Sequence, residues 1–169
     1  MTDKEQINPK ISVQSVSKIF GKHTGKALDL LSRGLKKSEV QSETGVVVGV
    51  HDVSLEIYPG EIFVIMGLSG SGKSTLLRLI NRLQEPSSGK VLVDGEDVTA
   101  MNAGELRALR RKKFGMVFQS FALLPHRTVL GNVEFGLEIQ GIPKEQRRER
   151  AMQVIEAVGL ATRVRHIFA

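Results

Sequence analysis

Residues 61–75 read EIFVIMGLSGSGKST, and the parsing of this stretch decides the fold. Its first six residues form a short apolar run, β-branched and aromatic, of the kind that fills a strand covered on both faces of a sheet. The rest matches G-x-x-x-x-G-K-[ST] through Gly67, Gly72, Lys73 and Ser74, with Thr75 behind. Glycines at Gly67, Gly70 and Gly72 let the backbone curl so that successive N–H groups point inward, Leu68, Ser69 and Ser71 included. The result is a concave anion site at a helix N-terminus. Lys73 brings a point charge to the β- and γ-phosphates, and the Ser74 hydroxyl suits Mg2+. Chance supplies this pattern in roughly one chain in a hundred of this size. A strand before it and an amphipathic helix after it are the context the motif requires. The expectation is a site for a nucleoside triphosphate with Mg2+; the bland alternative is a flexible Gly/Ser loop.

Downstream of the loop, Leu76, Leu77, Leu79, Ile80 and Leu83 make the apolar face of a helix that stops before Pro86. Val91, Leu92, Val93 and Val98 flank Asp94-Gly95, a hairpin signal. A basic helix over residues 103–112 then precedes a second buried-looking strand at 114–118. A helix opening near Thr128 follows, and another opening at Pro143, with Gly159 suited to a left-handed cap. Upstream, residues 11–20 read as a strand. In the polar stretch after it, Ala27, Leu28, Leu31 and Leu35 recur at helical spacing. Ser38-Glu39-Val40-Gln41 has the form of a capping box and marks a second short helix. From Val46 the pattern changes to period two, with Val53, Leu55 and Ile57 alternating with polar residues. The mixture is α/β, with an antiparallel portion built by the early strands.

Composition narrows the function classes. The 169 residues, 41% of them apolar, suit one globular domain and can bury a core. No Cys is present, which excludes a disulfide scaffold, a thiolate zinc site and a thiol nucleophile; four scattered His are poor material for a metal cluster. The longest apolar run, residues 62–68, is far short of the roughly 20 residues a spanning helix needs, and the polar start has no signal-peptide core. A cytosolic location is expected. Lys plus Arg exceed Asp plus Glu by 24 to 18, a formal charge of +6. The excess sits at Arg107, Arg110, Arg111, Lys112 and Lys113, and again at Arg147, Arg148 and Arg150. On helices these runs are either solvated faces or phosphate and nucleic-acid contacts. The scarcity of aromatics beside them argues against base stacking.

Gln119, directly after residues 114–118, places a carboxamide where its oxygen can face Mg2+ and its nitrogen an attacking water. With the Gly-rich loop about 45 residues upstream, it resembles the Q-loop of an ATP-binding-cassette (ABC) ATPase. The hairpin SSGKVLVDGEDV is similar to the ABC pattern too. More narrowly, the insertion between KIFG and VHDVSLEI resembles that of the ATPase subunits of importers for glycine betaine, proline and related osmoprotectants. This resemblance implies a P-loop NTPase core with an antiparallel β subdomain. Residues 11–118 would form the β subdomain and P-loop core, with a helical insertion near 22–45. Residues 119–169 would carry the Q-loop and the start of the helical subdomain.

The resemblance further implies ATP and Mg2+ as cofactors, with Lys73 and Gln119 catalytic and Ser74 and Gln119 at the metal. It makes Phe20 the aromatic that stacks on adenine, although a core residue at a strand end reads the same way in sequence. Residues Pro125, His126 and Thr128 would face a membrane permease subunit; a solvated loop is the alternative for His126. The implied partners are that permease, a second copy of the ATPase and, indirectly, a substrate-binding protein. No nucleic acid is expected, and the location would be the cytoplasmic face of the cell membrane. The family's signature motif, its second acidic strand with the water-polarising Glu, and its switch His find no match in the 169 residues. The expectation is therefore a chain truncated before those motifs, which binds ATP-Mg2+ without hydrolysing it and leaves residues 61–66 short of a neighbouring strand. The competing readings are a soluble ABC ATPase acting on nucleic acid and a non-hydrolysing nucleotide-binding module.

Overall fold

A computed structural model of the chain describes residues 8–118 and 123–167. It forms two compact units, residues 1–103 and 104–169. The first is built on a four-stranded antiparallel sheet ordered β2-β1-β3-β4, from β1 (Ile11–Phe20), β2 (Val47–Ile57), β3 (Ser88–Val93) and β4 (Glu96–Asp97). Strands β3 and β4 meet through Asp94 and Gly95, with φ of 51° and 80°. Positive φ at both central residues is the type I′ turn that Asp-Gly favours, because its twist matches that of the flanking strands.

The central strand is not a plain ladder. Val13 and Val16 are both fully buried although three residues apart, whereas an unbroken strand buries every second residue. An irregularity lies between them: the register against β2 shifts between Val13 and Val16, and Ser15 adopts φ 48°. The extra residue re-phases the strand there, and both valines are buried. Asp52 on β2 makes the matching excursion, at φ 47°. Hydroxyls from the opposing strands bind the N–H groups involved: Ser15 N–H donates to Ser54 Oγ and Asp52 N–H to Ser17 Oγ, each at 2.9 Å. On the other side of β1, Gly89 (φ 85°) fits the bend, since a Cβ there would lie 2.4 Å from the Ser15 carbonyl oxygen.

Between β1 and β2 the expected insertion forms two helices, α1 (Thr24–Ser32) and α2 (Lys37–Thr44). Ala27, Leu31 and Val40 bury themselves with Ile19 and Val46, so the insertion is anchored to the sheet. Helix α2 starts earlier than the Ser38 box suggests. Its cap is Lys36, whose backbone N–H donates to the Glu39 carboxylate at 2.6 Å. An ammonium has no lone pair to return the bond, so only half of a capping box is made.

Helix α3 (Lys73–Ile80) follows the Gly-rich loop and buries Leu76, Leu79 and Ile80, while Leu77 and Leu83 stay about half exposed. Arg82, just past its end, donates to the carbonyls of Val98 (2.9 Å) and Met101 (2.6 Å) and pairs with Glu85.

Two expected strands are absent. Residues 61–66 and 114–118 carry no strand pairing, and Ile62, Met66 and Val117 are 90%, 86% and 98% exposed. A buried strand needs backbone partners at its edges as well as apolar side chains, and among the described residues none pairs with either run.

The second unit holds α4 (Ala103–Lys113), α5 (Val129–Ile139) and α6 (Lys144–Ala157). Arg107, Arg111, Lys112 and Lys113 on α4 are exposed, and so are Arg148 and Arg150 on α6. Helices α5 and α6 join through Val129, Leu130, Ala151 and Ile155, with Val164 packed alongside. The start of α5 is closed completely. Thr128 Oγ1 accepts from Gly131 N–H at 3.1 Å, while the carbonyls of His166 and Val164 take the N–H groups of Val129 and Leu130. Helix α6 ends in a Schellman motif: Gly159 (φ 72°) donates to Glu156 O and Leu160 to Ile155 O. Arg127 donates to Glu138 at 2.7 Å and lies over the Phe135 ring, and its guanidinium holds the Glu138 carboxyl below the usual carboxylate range.

Three measurements check this account. Gly89→Ala should destabilise the chain by at least about 1–3 kcal/mol in denaturant titration, from the strained backbone alone. Thr128→Ala should cost about 1 kcal/mol through loss of the cap. Because the folded pKa of Glu138 is lowered, its stabilisation exists above the ordinary carboxylate range and disappears as pH falls through the lowered value. Glu138→Gln should therefore melt below the parent at neutral pH, and the gap should close in acid.

Candidate phosphate-binding site

The site is built where residues 67–72 lead into α3. Helix α3 opens without a side-chain cap, and Gly72 takes the cap position in a left-handed conformation, φ 97°. Its first backbone bond runs from Leu76 N–H to Gly72 O at 2.8 Å. The N–H groups of Lys73, Ser74 and Thr75 have no acceptor among the described residues. Three adjacent donors at the positive end of a helix dipole are the elementary anion site.

Glycine at position 72 is required by space as well as by φ. A Cβ there would lie 2.4 Å from the Gly49 carbonyl oxygen, so the loop rests directly on the backbone of β2. Lys73 Nζ donates to the carbonyls of Gly67 and Leu68, each at 2.8 Å. Those bonds fix the ammonium over the loop and leave its third N–H for an incoming oxygen. Ser71 N–H donates to Leu68 O at 3.2 Å, which closes the tip, and a Cβ on Gly67 would approach Ser71 Oγ to 2.9 Å. The backbone is thus packed tightly enough to hold a shape, and its side chains stand aside: Leu68, Ser69, Ser71 and Ser74 are exposed. These features fit a polyphosphate. Donors and a cation converge, Gly70 (φ 78°) keeps the rim open, and no carboxylate belongs to the loop.

Phe20 ends β1 opposite Val47 and is 37% exposed. Its ring lies across Gly49, where a Cβ would come within 2.7 Å of Phe20 Cε2, and the Lys18 ammonium stands 5.3 Å from the ring centroid. Gly49 therefore joins the two halves of the expected nucleotide site, receiving the aromatic ring on one side and the loop on another. Sequence reasoning passed over Gly49. The available signal was a glycine interrupting a valine-rich strand, which marks a close backbone approach. Gln119 lies outside the described residues. His126 and Pro125 are exposed, and Thr128 is spent on capping α5.

Residues 50–168 match the ABC transporter family model. Over 151 residues the chain is 55% identical to the glycine betaine transport ATP-binding protein OpuAA of Bacillus subtilis, covering 89% of this chain and 36% of that protein. It is 54% identical over 151 residues to the glycine betaine/proline betaine transport system ATP-binding protein ProV of Escherichia coli, covering 89% and 38%. The chain thus spans little more than a third of the length of these relatives. Among solved structures, a dimeric bacterial ABC transporter cassette superposes with a TM-score of 0.74 at 31% identity, covering 93% of this chain and 61% of that one. The same cassette has been seen in a post-hydrolysis state bound to ADP and phosphate, at a TM-score of 0.73. With its loop geometry and a family match over most of its length, the chain belongs to the ABC transporter family of ATP-binding cassettes.

Proposed function

We propose that this chain is the nucleotide-binding portion of an ATPase subunit that powers import of glycine betaine, proline betaine or a related osmoprotectant. The observation that carries the nucleotide reading is the set of unanswered N–H groups on Lys73, Ser74 and Thr75 beside the Lys73 ammonium. The import reading is supported by the relatives, which are named for glycine betaine transport and are more than half identical over most of this chain.

The reading gives each residue a role. The triphosphate sits at the start of α3, where backbone donors need no reorganisation to meet negative charge. Lys73, already positioned by two carbonyls, neutralises the β- and γ-phosphates. Phe20 stacks on adenine at the Gly49 side of the loop. Mg2+, when bound, spreads the charge of the β- and γ-phosphates; Ser74 and Gln119 are the residues of this chain that would hold it. A second copy of the ATPase and a membrane permease complete the assembly. Attachment at the cytoplasmic face would be through that permease; among the described residues no helix is long and apolar enough to cross a membrane.

Titration of the full 169-residue chain with a fluorescent ATP analogue tests the site. Lys73→Ala should weaken binding by about 1.5–3 kcal/mol or more, the worth of a charged hydrogen bond. An affinity equal to the parent's removes the assignment. Phe20→Ala should cost about 1–3 kcal/mol if the ring stacks on the base, and equal affinities return Phe20 to a packing role. The transport reading is tested by the neighbouring genes: permease and substrate-binding-protein genes support it, and a lone nucleic-acid repair gene defeats it.

A further inference from the structure

The insertion does more than lengthen the β1–β2 connection. Val40 of α2 is fully buried against Ile19, Ala27, Leu31 and Val46, which fixes how the helix faces the sheet. Lys37 lies one turn earlier, three residues from Val40 and so on the same helix face. Its side chain lines a cavity of about 240 Å³ together with Gly49, His51, Gly67, Gly72 and Lys73.

The ionisable residues of that lining are Lys37, His51 and Lys73, without a carboxylate. Lys37 makes no ion pair or hydrogen bond among the described residues, and the neighbouring Glu39 carboxylate is held at the Lys36 backbone. In the same wall His51 Nδ1 is buried without a hydrogen-bond partner. Lys73 is already bonded to two carbonyls, whereas Lys37 and His51 Nδ1 are unanswered, and a lining with two lysines and no carboxylate favours an anion. Gly67, Ser71, Gly72 and Lys73 bring the Gly-rich loop into the lining of that cavity, next to the open N–H groups of Ser74 and Thr75 in sequence.

We propose that Lys37 is a second cation of the nucleotide site, supplied by the inserted helix, which binds the polyphosphate alongside Lys73. This rests on the nucleotide reading of the loop. Lys73 approaches from within the loop and is tied to it. Lys37 arrives from a separate element whose position depends on the packing of α1 and α2 on the sheet. A family member without the insertion would bind the same phosphates with one fewer positive group.

The test compares the parent with Lys37→Met, which keeps the aliphatic stem, and with Lys37→Arg. Lys26→Ala serves as a control for loss of a charge from the insertion away from the cavity. ATP and AMP are titrated at low and high salt, with thermal melting of each variant. Lys37→Met should bind ATP about three- to tenfold more weakly at low salt, the size expected of a partly screened charge-assisted contact. That deficit should be smaller for AMP, shrink as salt rises and be largely recovered by Lys37→Arg, with Lys26→Ala equal to the parent. The proposal is overturned if Lys37→Met binds ATP within twofold of the parent while Lys73→Ala does not bind. It is overturned equally if the deficit is the same for AMP, or tracks a lowered melting temperature that Lys37→Arg shares. If the parent itself fails to bind ATP, the nucleotide reading falls and this proposal with it.

Discussion

The contact on which the site depends is between two pieces of backbone: the carbonyl of Gly49 on β2 and the α-carbon of Gly72 at the head of α3. No side chain intervenes, and a single added methyl group would collide. The contact seats the Gly-rich loop on the antiparallel sheet, and it sets where the first turn of α3 begins. Gly49 also receives the Phe20 ring, so the ring and the Gly-rich loop meet at one residue of β2. The sheet in turn keeps β2 in place by its paired excursions at Ser15 and Asp52, with serine hydroxyls binding the N–H groups there. Strain at those two residues is the cost of a strand that buries both Val13 and Val16.

Helices α3 and α5 show the same physics put to opposite uses. Each begins with N–H groups that no preceding turn can satisfy. At α5 every one is answered from within the chain, by Thr128 and by the carbonyls of Val164 and His166 from a segment that folds back on the helix. At α3 three are left open, and a lysine is held beside them by the carbonyls of Gly67 and Leu68. A closed helix start stabilises a fold. An open one, built on close backbone packing and next to a positioned cation, is what the proposed phosphate site requires.

Much of this was legible in the sequence because it is local. Asp94-Gly95 dictates its turn, Gly159 its helix stop, and the spacing of Ala27, Leu28, Leu31 and Leu35 the helix of the insertion, each through preferences that act over a few residues. The run at residues 61–66 shows where such reading stops. Its apolar, β-branched composition does describe a buried strand, yet a strand is a relation between segments and no partner for it stands among the described residues. The bulge at Ser15 was equally hidden, since an alternating pattern carries no mark of a register shift until a second strand is laid beside it.

The sequence by itself determined the local arrangement: a Gly-rich loop with a lysine and a hydroxyl opens an amphipathic helix, and spacing along one short segment places donors and charge together, as the proposed phosphate site requires. Tertiary structure decided what surrounds that site. Gly49, Phe20 and Lys37 come from a strand, a strand end and an inserted helix up to 53 residues away from Lys73; Gly49 meets both Gly72 and the Phe20 ring, and Lys37 shares a cavity lining with the loop. Short-range geometry is written in neighbouring residues, whereas convergence of distant ones depends on which faces are buried against each other, and only the folded chain holds that information.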